Sequence, residues 1–201
     1  HLLVGVYKGS SSVNELYHQD LKAPGSALRP IAAGFKASYQ GDMHQGVLYL
    51  RTTEQAPRGK VLAIDLASPD RKRWKLVIPQ GRDALQSAFV AGGKLVAEYL
   101  HDATSQIRLF DLAGKQTGTV PLPGLGTVSA LTGMAEQRDL YFHFTSYLHP
   151  TSVLRYDVAA GKLATEFAPT LPIAPASLIQ RQVWFRSKDG TRVPMFLVHR
   201  R

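Results

Sequence analysis

The chain has 201 residues, 44% of them hydrophobic and 19% charged, with a net charge of +9. Those values fit an ordinary globular protein and exclude a disordered or fibrous one, and no apolar run reaches the ~20 residues of a membrane helix. The absence of cysteine excludes a disulfide scaffold, a Cys-ligated zinc site and a thiol nucleophile.

No segment keeps apolar residues at helical spacing for three turns, and Gly and Pro cut the chain into runs of four to eight residues. This pattern predicts an all-β protein. In chain order, Leu2 to Tyr7 and Leu16 to Leu21 read as two strands of a first unit that ends near Ile31. A second unit runs from Lys36 to Ile78, with a long loop before its last strand, Trp74 to Ile78. The third is the clearest: Leu85 to Val90, a Gly92-Gly93 turn, Leu95 to Leu100, a loop from His101 to Ser105, Ile107 to Leu112, a Gly114-Lys115 turn, and Thr117 to Leu122. The fourth repeats it as Thr127 to Thr132, Leu140 to Thr145, Val153 to Val158 and Leu163 to Phe167.

These units share a beat. Asp20, Asp65, Asp111 and Asp157 each close the third strand of a unit, at separations of 45, 46 and 46 residues. Four short strands, here A to D, repeated at a period of ~40 to 50 residues, are the mark of a β-propeller blade. The expected fold is therefore a partial β-propeller of four-stranded antiparallel blades. The first unit lacks its strand A, which leaves an open edge. A closed propeller needs at least four blades, so the chain is expected to be part of a longer polypeptide. The repeated aspartates fall in different blades, which assigns them to accepting backbone N–H groups at turns instead of to a metal or catalysis.

After Phe167 the pattern stops. Pro169, Pro172 and Pro175 stiffen a connecting stretch, and Val183 to Val198 forms two β-rich runs about Asp189-Gly190, a strong hairpin signal. The expected division is a propeller part, residues 1–171, and a linker with the start of a second domain, residues 172–201. Pro194 argues for an edge position of the last strand.

Recognisable chemistry is sparse. No Gly-x-Ser-x-Gly elbow occurs; Gly9-Ser10-Ser11-Ser12 lacks the second glycine. None of the seven histidines forms a helical i, i+4 pair, so no metal and no cofactor are expected. The Gly-Lys pairs do not complete a phosphate loop. Positive charge is scattered apart from Arg71-Lys72-Arg73-Trp74-Lys75, which reads as a solvated loop, so neither nucleic acid nor a membrane is an expected partner. Compartment stays open, with the cytoplasm favoured over the periplasm.

Two stretches carry a family likeness. Phe144-Thr145-Ser146-Tyr147-Leu148-His149-Pro150 leads to Tyr156-Asp157. Later come Ser187-Lys188-Asp189-Gly190-Thr191 and Val193-Pro194-Met195-Phe196-Leu197-Val198-His199. Together with Tyr99-Leu100-His101-Asp102 and Trp74 to Pro79, they resemble the prolyl oligopeptidase family. The basic-residue-specific sibling, oligopeptidase B, is similar around the Asp-Gly turn and fits less well at Phe144-Thr145-Ser146 and Met195-Phe196-Leu197. The resemblance implies a seven-bladed propeller over an α/β-hydrolase domain. That assembly cleaves short peptides after proline with a Ser, Asp, His triad. It implies that this chain holds the last blades and the first hydrolase strands, with every triad member and the oxyanion tyrosine farther along. No catalytic residue is carried over. Loss of triad members costs about 10⁴ to 10⁶ in turnover, so the chain alone is expected to be inactive.

In an A to D meander, the B to C loops share a face with the D to A connectors. The resemblance sets the loop from Tyr7 to Asn14 near the substrate chamber, with Ser10 helping to line a specificity pocket. Topology adds loops 54 to 58, 101 to 105 and 146 to 151 to that face. Ser10, His101, Asp102, Tyr147 and His149 are thus expected at the chamber or the domain interface, the partners being proline-containing peptides and the hydrolase domain. The alternative is a free-standing propeller that binds a protein, in which these residues are solvated loop positions. The hairpin counts against it, because a self-contained propeller has no use for one.

Overall fold

A computed structural model describes residues 1–170 and 177–201. Pro172 and Pro175, and the expected boundary between residues 171 and 172, lie outside the described residues.

The chain folds as successive antiparallel meanders. The first has three strands, β1 (Leu2–Tyr7), β2 (Asn14–Gln19) and β3 (Arg29–Ala37). The second comprises β4 (Tyr39–His44), β5 (Val47–Thr52), β6 (Lys60–Asp65) and β7 (Lys75–Ile78). The third is β8 (Ala84–Ala91), β9 (Lys94–His101), β10 (Thr104–Phe110) and β11 (Gln116–Thr119). The fourth is β12 (Thr127–Gly133), β13 (Asp139–Thr145), β14 (Ser152–Asp157) and β15 (Lys162–Phe167). A separate pair, β16 (Leu178–Arg186) and β17 (Arg192–Arg200), follows. Strand order within each four-stranded sheet is sequential, as the blade reading requires.

The core sits between blades, not within them. On β9, Leu95, Ala97 and Tyr99 pack against Tyr49, Val61, Val77 and Ile78 of the second blade. Val96, which points to the opposite face, joins Phe142, Phe144, Leu154 and Tyr156 of the fourth. Side chains alternate across a strand, so a sheet sandwiched between two others reads as a continuous apolar run. The fourth blade is covered on one face only: on β13, Leu140, Phe142 and Phe144 are buried while Tyr141 and His143 are exposed. No sheet closes on itself among the described residues.

The aspartate repeat is local turn chemistry. Asp20, Asp65, Asp111 and Asp157 each accept the backbone N–H two residues on, from Lys22, Ala67, Ala113 and Ala159 at 2.9 to 3.0 Å. Asp157 also accepts from Ala160 at 2.8 Å, and these donors hold its carboxyl below the ordinary range. Arg71–Arg73 forms one 3-10 turn, whose Arg71 guanidinium stacks on Trp74 at 4.7 Å and pairs with Glu54.

Three elements depart from the expectation. The first unit runs past Ile31 to Ala37, because Gly34 and Phe35, at φ 91° and 51°, bend β3 without ending it. The expected loop from His101 to Ser105 is a two-residue turn, Asp102-Ala103, with φ of 45° and 65°. Two successive left-handed residues match the twist of the flanking strands, so β9 and β10 extend into the expected loop. The last strand of the third blade stops at Thr119, short of Leu122.

Candidate functional site

The B to C loops and D to A connectors form one continuous rim. Leu85 N–H donates to the Arg58 carbonyl at 2.7 Å, and Arg58 N–H to the Gln80 side chain at 2.8 Å, joining the second blade's loop to the next connector. Arg82 of that connector pairs with Asp102 at 3.4 Å. Ser105 N–H donates to the Gly126 carbonyl at 2.9 Å, and its hydroxyl accepts from Val128 N–H at 2.9 Å, tying the third blade to the fourth.

Within this rim the third blade carries a charged cluster. The Asp83 carboxylate meets His101 Nδ1 at 2.8 Å and the Arg108 guanidinium on its other oxygen. Burial pushes the Asp83 carboxyl up, but the hydrogen bonds from His101 and Arg108 outweigh it and hold the group below its ordinary value. Arg108 lies over the Tyr99 ring at 4.3 Å, and His101 Nε2 approaches the Asp102 carboxylate at 3.8 Å. Nearby, burial raises the Glu98 carboxyl despite hydroxyl contacts from Ser87 and Ser105.

The loop of the fourth blade is organised by Ser146, whose hydroxyl accepts from Leu148 and His149 N–H at 3.1 and 3.0 Å. The His149 ring packs edge-on against Phe144 at 6.0 Å. Tyr147 is left 68% exposed and meets the Phe196 ring of the hairpin at 5.7 Å. Ser10 is exposed in the first unit's loop.

The structure thus brings His101 and Asp102 together with Asp83 and Arg108, and it sets Tyr147 and His149 in a second loop across a connector. A cleft of about 300 Å³ lies between those loops, lined by Ala103, Thr104, Gly126, Ser146, Tyr147 and Phe196. Sequence reasoning missed Gln180 and Gln182, which donate to the Leu125 carbonyl at 2.9 Å and to the Asp102 carbonyl. Their i, i+2 spacing puts both on one strand face, but the acceptors are backbone atoms with no sequence signature. No His, Asp and Glu cluster suited to a metal ion occurs among the described residues. No helix among them is long and apolar enough to cross a membrane.

Residues 1–166 match the family model of the N-terminal β-propeller domain of prolyl oligopeptidase. The chain belongs to the prolyl oligopeptidase family. It is 32% identical over 189 residues to a prolyl endopeptidase of Elizabethkingia meningoseptica, covering 94% of this chain and 26% of that protein. A dual function macrocyclase-peptidase of Amanita bisporigera is 29% identical, over 98% of this chain and 28% of its own length. Among solved structures, one of two prolyl endopeptidases studied for inter-domain dynamics aligns with a TM-score of 0.83 at 38% identity, over 94% of this chain and 28% of that one. Prolyl oligopeptidase B of Galerina marginata aligns with a TM-score of 0.83 at 25% identity, over 96% of this chain and 29% of its own. The chain spans about a quarter of the length of the curated relatives it matches.

Proposed function

We propose that this chain is part of a proline-specific serine oligopeptidase. Residues 1–171 supply propeller blades that gate and size-filter peptides, and residues 172–201 lead into the hydrolase domain. The observation that carries this reading is the likeness to a prolyl endopeptidase structure over 94% of the chain, which reaches beyond the propeller into the β16–β17 hairpin. Ser10, His101, Asp102, Tyr147 and His149 would then lie toward the substrate chamber or the domain interface. The rim supports this assignment, because Asp102 and Tyr147 are both touched by the hairpin. The substrates are short proline-containing peptides, and the triad lies on the hydrolase domain, outside this chain. A gate of this kind acts by sequestering the reaction and limiting entry, not by contributing to bond cleavage.

The test uses the full polypeptide that carries this sequence and the 201-residue chain alone. Each is assayed on chromogenic peptides with proline or arginine at the cleaved bond. The expected result is cleavage after proline by the full polypeptide and none by the chain. Cleavage after arginine alone would move the protein to the basic-residue sibling. Tight binding of a protein partner with no cleavage by any form would replace the peptidase reading with that of a binding module.

A further inference from the structure

We propose that Gln180, Gln182 and Phe196 form a three-point latch that fixes the β16–β17 hairpin on the loop rim. Resting on the peptidase reading above, we assign them as positioning residues for its activity. The three side chains share one face of the hairpin. Gln180 and Gln182 are two apart on β16, and Phe196 stands opposite Gln182 in the register of β17. Each reaches a different part of the rim. Gln180 donates to Leu125 in the connector between the third and fourth blades, and Gln182 to Asp102 in the third blade's turn. Phe196 meets Tyr147 in the fourth blade's loop.

Contacts on three separate segments fix both the position and the tilt of a rigid hairpin, which two contacts would leave free to pivot. The cleft of about 300 Å³ between the contact points leaves this seam incompletely packed. The two side-chain hydrogen bonds therefore carry much of its stability. Neutral bonds of this kind exchange readily with water, each shifting an opening equilibrium by roughly two- to ten-fold. The seam is thus built to open without disturbing the blades, whose cores lie between the sheets.

The test is Gln180→Met together with Gln182→Met in the full polypeptide, a pair that keeps side-chain length and removes both donors. Hydrogen exchange by mass spectrometry should accelerate roughly ten-fold in peptides spanning 101–105, 123–127 and 178–186. Peptides spanning 94–100 and 139–144, inside the blades, should be unchanged. The ratio of kcat/KM for long against short proline peptides should rise several-fold. Phe196→Leu, tested separately, should give the same pattern more weakly. Unchanged exchange at the seam, or equal acceleration in every blade, overturns the latch. Faster seam exchange with an unchanged ratio overturns the positioning role. If the unmodified protein cleaves no proline peptide, the proposed function and the positioning role fall together, and the exchange measurement still decides the latch.

Discussion

Replacing Gly114 with alanine should destabilise the chain far more than the same change at Gly93. Both are turn glycines in left-handed conformation, at φ 95° and 69°. A Cβ at Gly93 meets nothing within 4 Å, whereas one at Gly114 falls 2.0 Å from the Val77 carbonyl oxygen and 2.8 Å from its carbon. Neither partner can retreat. Gly114 is held by hydrogen bonding of its N–H to Asp111 O at 3.0 Å, and Val77 and Ile78 are buried in the core between the second and third blades. Left-handed alanine costs about 1–2 kcal/mol, and forcing atoms into a filled space adds about 1–3 kcal/mol. Gly93→Ala should therefore cost about 1–2 kcal/mol and Gly114→Ala about 2–5 kcal/mol. For a chain of this size, Tm should fall by roughly 2–8 °C and 4–20 °C respectively. Scanning calorimetry on matched samples reads both. Equal shifts for the two variants would refute the claim that this turn is wedged against the neighbouring blade.

Asn14→Ala should lower Tm by roughly 4–20 °C, the equivalent of about 2–5 kcal/mol. The side chain is buried, accepts from Tyr39 N–H at 2.7 Å and donates to the Tyr39 carbonyl at 3.0 Å, so its loss strands two buried backbone groups. Glu98→Gln should stabilise the chain at neutral pH and make no difference near pH 4. Burial raises the Glu98 carboxyl in the folded state, so the native protein takes up a proton before the unfolded one does as pH falls. Its penalty therefore grows as pH rises through the folded value and is absent below the unfolded value. Thermal melts at the two pH values check this. Asp189 behaves in the opposite sense: hydrogen bonds from Ser187 and Thr191 lower its carboxyl to about 2. Its contribution to the hairpin turn is present above the ordinary aspartate range and is lost as pH falls toward 2. A carbon-detected titration of the Asp189 carboxyl, with a midpoint near 4, would contradict the turn geometry.

The architecture was legible because the repeat is written in residues whose chemistry is local. Asp65, Asp111 and Asp157 each mark a turn through their own side chains, and Gly92-Gly93 marks another through backbone freedom. The runs on β9 and β13 differ in how many faces they cover: Leu95, Val96 and Ala97 are apolar without a break, while Leu140 to Phe144 alternates buried with exposed. What escaped notice depends on partners distant in sequence. Asp102-Ala103 forms a tight turn without glycine, because extended pairing on either side compensates for an alanine at φ 65°. Phe35 is carried within β3 for a similar reason, with β2 pairing on both sides of the bend.

The rim shows the same division at the level of function. Asp102 was singled out for its place in a rim loop; the hairpin engages its carbonyl, and its carboxylate turns toward Arg82 and His101. One residue thus joins the charged cluster of the third blade to the seam with β16. The two attachments differ in kind. Charge and geometry together hold the cluster, with Asp83 accepting from His101 and Arg108, whereas the seam uses a neutral amide on a backbone oxygen. Opening the seam therefore needs no ion pair to break, and the Asp83 cluster can keep the turn in shape while the hairpin leaves it. A rim that stays rigid while one contact releases is what a gate over a closed reaction chamber requires, which is why the latch and the proposed gating role stand on the same residues but are separated by different measurements.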